Sequence, residues 1–230
     1  RDDTFFLTVN GVSSMIVSDG AGYHLADENF WKISKDDASD SWVVKDKVGN
    51  TYYFEYKAVA MYFVGRDPKD PPDHCGDLGQ ITYQWHLTRM VNIFGQTLTY
   101  GYQKETKDFQ YWVYSNYYGN CRGRYTPTDT AVYPHTIRYP NNRYQVRFQL
   151  ADIDRGDYKT SWATPGAHEN FMRKRLSNIY VEQDADGNGS FETVIRRYEL
   201  TYAGNDSANL IWPGVVWTAG GKTSTLVKVQ

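Results

Sequence analysis

Alternating large and small side chains recur along this chain in short runs, and the clearest run follows Gly95. In Thr97–Tyr102, aromatic and aliphatic residues alternate with threonine and glycine. A period of two with β-branched and aromatic residues predicts a strand. The preceding segment begins at Trp85 and reaches a turn at Asn92–Gly95, so Trp85–Tyr102 predicts a β-hairpin. We expect one face of the returning strand to be buried against a second layer (Leu98, Tyr100, Tyr102), and the other face to meet solvent or a chamber (Thr97, Thr99).

A second copy of this unit lies earlier, at Trp42–Tyr56. The aromatic residues Tyr52, Phe54 and Tyr56 follow Gly49 at the spacing with which Leu98, Tyr100 and Tyr102 follow Gly95. A looser third copy, Tyr198–Tyr202, follows the turn Asp184–Gly189. Such recurrence predicts a β architecture built by repetition. The units together predict a structural aromatic face made of Trp42, Tyr52, Phe54, Tyr56, Trp85, Leu98, Tyr100 and Tyr102.

The remaining segments predict further short strands separated by turns. Asn10-Gly11 is typical of a tight hairpin turn. Arg66–Gly79 contains three prolines and four aspartates and predicts an exposed loop, as does Tyr117–Asp129. No segment keeps a 3.6-residue apolar period beyond two turns, and Glu169–Lys174 is the best candidate for a short helix. We therefore predict an all-β fold: repeated antiparallel hairpins in an extended, curved, shell-like sheet with very little helix.

Composition supports a single large β unit. The 230 residues include 20 Tyr and 7 Trp, and an aromatic-rich, turn-rich chain favours strands. We treat residues 1–230 as one β-rich segment with a possible sub-boundary in the loop 66–79. The net charge of −2 comes from interspersed acids and bases, which argues against nucleic-acid or membrane-surface binding. No segment is apolar and long enough to span a membrane. No leader is visible before the strand-like Phe5–Val9, so we expect the chain to begin inside a longer protein.

Cys75 and Cys121 are the two cysteines, and each lies in a polar loop. They are either two free thiols or a disulfide that joins those loops. Secreted proteins favour the disulfide, but the sequence leaves both alternatives open.

The segment Asp184–Glu192 alternates oxygen-bearing side chains and resembles the start of a calcium loop. The spacing of an EF-hand would place its bidentate glutamate at position 195, which is Ile195. Asp and Gly are also the residues that a tight turn needs, so we interpret this segment as a structural turn and predict no metal site. Carboxylates cluster in Asp36–Asp40, Asp67–Asp77 and Asp152–Asp157, where solvated loop acids are the ordinary interpretation. We predict no catalytic residue and no cofactor, because no nucleophile, base or metal set assembles.

Several segments, in their order along the chain, resemble the region that precedes the repeats in RHS/YD-repeat proteins, with Tc-toxin B components as the nearest type. The segments are Trp31–Ile33, Trp42–Phe54, Trp85–Arg89 with Gly95 and Tyr100–Tyr102, Val146–Phe148, Arg175–Ile179, Arg197–Tyr202 and Ser224–Val229. The resemblance implies a secreted or cell-surface protein and a segment of a hollow β-shell that encloses a toxic C-terminal portion. It implies as partners the rest of a large chain, the enclosed effector and other toxin-complex subunits. The self-cleaving aspartates of such shells lie beyond the repeats, and nothing matching them occurs here.

Two alternatives belong to other classes. A carbohydrate-binding β module would use the many tyrosines and tryptophans for stacking on sugars, and it requires several tryptophans on one exposed face. A hydrolase would require a cleft in which carboxylates converge. The direction in which the aromatic side chains point therefore discriminates between the shell and the carbohydrate-binding module.

Overall fold

The computed structural model describes residues 4–20, 22–64, 77–115, 120–152, 154, 172–202 and 226–230. Within these ranges, thirteen strands form one antiparallel sheet in which each strand pairs with its neighbours in sequence. The strands are β1 (Phe5–Val9), β2 (Val12–Ser18), β3 (Tyr23–Leu25), β4 (Lys32–Asp36), β5 (Ser41–Lys45), β6 (Thr51–Val64), β7 (Asp77–Val91), β8 (Thr97–Ser115), β9 (Asn120–Arg138), β10 (Tyr144–Leu150), β11 (Leu176–Gln183), β12 (Thr193–Tyr202) and β13 (Leu226–Val229). The helical structure in the described residues is one 3₁₀ turn at Pro140–Asn142. The predicted all-β architecture, an open and curved sheet, is confirmed.

Two of the tight turns close by the same chemistry. The side chain of Asp46 accepts hydrogen bonds from the backbone N–H groups of Val48, Gly49 and Asn50. Asn92 heads the turn between β7 and β8, where its Oδ1 accepts N–H bonds from the second and fourth residues after it. Gly49 and Gly95 adopt φ values of 102° and 75°, which only glycine adopts without strain. The repeated unit is thus an Asx-headed turn with a glycine three residues on.

The core lies where the first strands roll back over one face of β5, β6 and β7. Its buried members are Leu7, Val9, Leu25, Ile33, Trp42, Val44, Tyr52 and Phe54. The ring of Phe5 on β1 packs edge-on against Trp42 at 5.3 Å and against Trp85 at 5.8 Å between centroids. Asn10, at the β1–β2 turn, donates a hydrogen bond to the Tyr52 hydroxyl. These contacts join strands far apart in the sheet order and hold the first strands against β5, β6 and β7.

Two long hairpins, β6–β7 and β8–β9, form the middle of the sheet. The strands β7 and β8 pair only where residues 89–91 lie opposite residues 97–99. Beyond that point the hairpins separate, and side chains of β9 bond the edge of β6 instead. The backbone N–H of Val59 donates to Asp129 at 2.7 Å, and that of Met61 donates to the Thr128 hydroxyl at 3.0 Å.

Two predicted loops differ from the structure. The strand β7 begins at Asp77, so the end of the predicted loop Arg66–Gly79 is paired with β6. The strand β9 begins at Asn120, so residues 120–129 of the predicted loop are paired with β8. The Gly, Pro and Asp residues of these segments favour loops, but the neighbouring strand of each long hairpin pairs with them along their length and keeps them extended. Residues 65–76 and the first half of the predicted helix Glu169–Lys174 lie outside the described residues, and residues 172–174 are not helical. In the part of the chain described, no helix is both long and apolar enough to cross a membrane.

Candidate functional site

The eight residues of the predicted aromatic face differ in burial. Trp42, Tyr52 and Phe54 are buried, with exposed fractions of 4%, 1% and 7%. Trp85 is half-buried and packs against them, with its ring 6.2 Å from that of Trp42. The remaining four residues, Tyr56, Leu98, Tyr100 and Tyr102, are half-buried rather than buried. The first half of the face is therefore core.

The alternation on β8 places residues on the predicted faces. Leu98 lies opposite Met90, and Tyr100 lies opposite Ile137, whereas Thr99 is exposed and lies opposite Arg138 on the other face. Leu98 and Tyr100 are half-buried, and their burial against a second layer stays a prediction. Burial, and then the neighbouring Tyr139, raise the pKa of Tyr100.

An aromatic cluster bridges the two hairpins where β7 and β8 separate. The rings of Tyr56 and Tyr102 stack at 5.2 Å, and the imidazole of His86 lies 5.0 Å from the ring of Tyr102. The Tyr102 hydroxyl donates to the carbonyl oxygen of Leu87 at 2.7 Å. Burial raises the pKa of Tyr102 to about 12, so its hydroxyl stays protonated and continues to donate. Burial, and then the charge of Lys104, lower the pKa of His86.

Asp129 is a buried carboxylate beside this cluster, and the sequence analysis did not single it out. Its side chain accepts from the Val59 N–H and from the Lys104 ammonium, both at 2.7 Å. Burial, and then the negative charge of Asp129, raise the pKa of Tyr83 to about 12. Asp129 therefore links β9 to β6 through Val59 and to β8 through Lys104.

Glu105 is a second buried carboxylate, on β8 beside a cleft between β9 and β10. It accepts from the Tyr133 hydroxyl at 2.7 Å and from the guanidinium of Arg173. Burial, and then the hydrogen bond to Glu105, raise the pKa of Tyr133 to about 12. These contacts join β8 to β9 and to the segment that leads into β11.

The acidic turn at Asp184–Glu192 brings three carboxylates together. Ligand atoms of Asp184, Asp186 and Glu192 lie within 4.8 Å of one another. The oxygens of Asp184 already accept N–H bonds from Gly187, Asn188 and Gly189. Burial alone would raise the pKa of Asp184, but these backbone donors outweigh burial and lower its pKa.

The other two carboxylates of this turn are also engaged. Asp186 accepts from the backbone and side-chain amide of Asn188, and Glu192 accepts from the N–H of Ala185. A Ca²⁺ ion needs six to eight oxygen ligands, and it would compete with the donors that close the turn. The hydrogen bonds support the structural interpretation, which stays a prediction.

The acids of the loop Asp36–Asp40 are bonded locally as well. Asp36 accepts from the N–H of Ala38 and the hydroxyl of Ser39, which lower its pKa, the hydroxyl most. Asp40 lies within ion-pair distance of Lys35 and Lys57. Among the described residues, these acids form turns and ion pairs.

The possible Cys75–Cys121 disulfide cannot be placed, because Cys75 lies outside the described residues. It stays a prediction. Mass spectrometry of the alkylated, non-reduced protein checks it: we expect no alkylated cysteine in material from an oxidising compartment, and two alkylated thiols would contradict the bridge.

The tryptophans also bear on the carbohydrate-binding alternative. Trp42 is buried, and Trp31 and Trp85 pack partly buried against the core. The side chains of the other four tryptophans lie outside those described. The tryptophans that are described therefore serve the core and form no exposed platform.

Comparison with known proteins places the fold. The sequence matches no protein-family model and no curated protein. The N-terminal domain of effector protein SpvB from Salmonella typhimurium is similar in structure, with a TM-score of 0.54 and 14% identity over 99% of this chain and 73% of that domain. A chain of the Photorhabdus luminescens Tc holotoxin pore is more distantly similar, with a TM-score of 0.46 and 14% identity over 100% of this chain and 11% of that chain. This chain therefore has a fold like that of the SpvB N-terminal domain.

Proposed function

We propose that this chain is a non-catalytic structural segment of an RHS-type β-shell, one that encloses or presents a toxin or effector portion. The observation that carries the proposal is the strand order: within the described residues, thirteen strands follow one another as neighbours in one curved sheet. Each added strand widens such a sheet, and the length of its hairpins sets its height. A curved sheet of this kind therefore suits the side of a shell. The fold shared with the N-terminal domain of an effector protein supports this assignment.

The internal pairing of acids supports a non-catalytic role. Three carboxylates are buried, and each forms an ion pair with a more exposed basic side chain: Asp129 with Lys104, Glu105 with Arg173, and Glu182 with Arg147. A catalytic carboxylate needs access to substrate and a pKa suited to proton transfer. These side chains instead stabilise contacts between strands.

The proposed partners are the rest of a longer chain, the enclosed effector portion and other subunits of a toxin complex, and the proposed location is outside the producing cell or at its surface. The test is limited proteolysis of the native protein that contains this chain. We expect the effector portion to resist protease in the intact protein and to become sensitive when β6–β9 are deleted. Equal digestion with and without the segment, or a native protein with no further portion, would overturn the proposal.

A further inference from the structure

Six connections lie at the same end of the sheet. Because each strand is antiparallel to the next, the connections that follow the odd-numbered strands up to β11 all reach that end. In order across the sheet they are residues 10–11, 26–31, 46–50, 92–96, 139–143 and 184–192. We call this surface the turn end.

The turn end exposes large apolar side chains at its tips. Phe30 and Phe94 are each 81% exposed, and Val48 and Ile93 are 64% and 58% exposed. Ile93 packs on the neighbouring turn, since a Cβ atom added to Gly49 would lie 3.0 Å from its Cγ2. Turn positions usually carry Gly, Pro, Asn, Asp or Ser. The three apolar residues of the third and fourth turns, Val48, Ile93 and Phe94, therefore form a protruding knob.

An open groove of about 970 Å³ lies next to the knob. It runs from the β7–β8 turn to the β9–β10 turn and across the face of β10 and β11. Apolar surface predominates in its lining, which includes Tyr139, Pro140, Tyr144, Val146 and Val181. The knob and the turn-end part of this groove thus lie side by side, and the groove continues onto the sheet face past Thr97 and Thr99.

The charges of the turn end are ordered on either side of this pair. Lys47 is exposed on the third turn, next to Val48. Asp186 and Glu192 are exposed on the sixth turn, beyond the groove. On the fifth turn Arg143 lies between the groove and these acids, where it donates to the carbonyl oxygen of Ala185, and the second turn carries Asp27 and Glu28. From the third turn onward the order is therefore cation, knob, groove, Arg143, anions.

We infer that the turn end is a self-complementary surface that binds a second copy of this chain. A two-fold axis between the fourth and fifth turns brings the knob of each copy opposite the groove of the other. The same axis brings the third turn of one copy opposite the sixth turn of the other. Lys47 then faces Asp186 and Glu192 of the second copy, as a two-fold interface requires of complementary groups.

Sedimentation equilibrium of the protein that contains this chain tests this contact. We expect a monomer–dimer equilibrium, and we expect Phe94→Ser to raise its dissociation constant about tenfold or more, because aromatic anchors dominate such interfaces. Phe6→Ser is the matched control, since Phe6 is 71% exposed on β1, outside the turn end. The control should change the constant by no more than about twofold. Circular dichroism verifies that both variants are folded.

A charge exchange gives a second and more specific test. Lys47→Glu and Asp186→Lys should each weaken self-association, because each places like charges opposite one another. An equimolar mixture of the two variants should associate, since each unlike pair then restores two opposite-charge contacts. A wild type that stays monomeric up to high micromolar concentration, or a dimer indifferent to all three turn-end substitutions, would overturn the inference. The turn end would then be a surface for a different protein and not for a second copy of this chain.

Discussion

Replacing Asp129 with alanine is expected to loosen the junction between the two long hairpins. The carboxylate is 7% exposed, and it accepts from the Val59 N–H and the Lys104 ammonium at 2.7 Å each. In the variant, the N–H of Val59 loses its acceptor. The Lys104 ammonium keeps part of its hydration, because its side chain is 30% exposed.

The expected cost follows from these two bonds. A hydrogen bond to a charged group contributes about 1.5–3 kcal/mol, and a buried donor left unpaired costs a similar amount. Because water partly replaces the bond to Lys104, we expect Asp129→Ala to lower the free energy of unfolding by about 3 kcal/mol. Asp129→Asn keeps an acceptor for Val59 and loses the ion pair, so it should cost about 1–2 kcal/mol.

Urea denaturation followed by tryptophan fluorescence measures these differences, provided that the slope with urea is unchanged. Asp108→Ala is the control, since Asp108 is exposed on the same hairpin, and it should cost less than about 0.5 kcal/mol. If Asp129→Ala falls within about 0.5 kcal/mol of the control, the junction does not depend on this carboxylate and the reasoning is wrong.

Further predictions concern β8, β7 and the acidic turn. Tyr100→Asp should lower the free energy of unfolding by about 2 kcal/mol, because Tyr100 is half-buried, whereas Thr99→Asp, at an exposed position, should lower it by less than about 1 kcal/mol. Urea denaturation measures both, and equal decreases would contradict the assignment of these two residues to opposite faces. The pKa of His86 is lowered in the folded state, so the unfolded state binds more protons than the folded state below about pH 6.5. The free energy of unfolding should therefore fall as the pH is lowered from 7 to 5, and it should fall less steeply in His86→Phe than in the wild type. Chelator should leave the melting temperature unchanged, whereas Asp184→Ala should lower it; a decrease with chelator that calcium reverses would show a metal site.

The sequence predicts those parts of the fold that depend on local chemistry. Asp46 and Asn92 head turns whose glycines lie three residues on, and both turns were predicted from those glycines. The alternation after Gly95 predicted which side chains share a face. It did not predict their degree of burial, because burial depends on which segments pack over that face.

The residues that sequence analysis missed act over long separations. Asp129 lies in the run Pro127–Thr130, whose composition is typical of a loop, yet it bonds Val59, 70 positions earlier. Glu105 bonds Arg173, 68 positions later. Neither pairing has a periodic signal, because it depends on how two hairpins lie beside each other. For Asp129 the available clue was its position between two β-branched residues, Thr128 and Thr130, and the polar run around Glu105 offers no such clue.

The neighbour-only strand order also determines how the sheet responds to force. Pulling on its two ends would load the hydrogen bonds of the outermost strand one pair at a time, so the strands should peel away in sequence. In the described part of the chain, the features that interrupt this path include the packing of Phe5 against Trp42 and Trp85, the bonds from Thr128 and Asp129 to β6, and the bond of Glu105 to Arg173. The sheet should therefore detach strand by strand from the β13 side and resist force where β1 packs over Trp42 and Trp85, because each strand is held mainly by its neighbours in sequence.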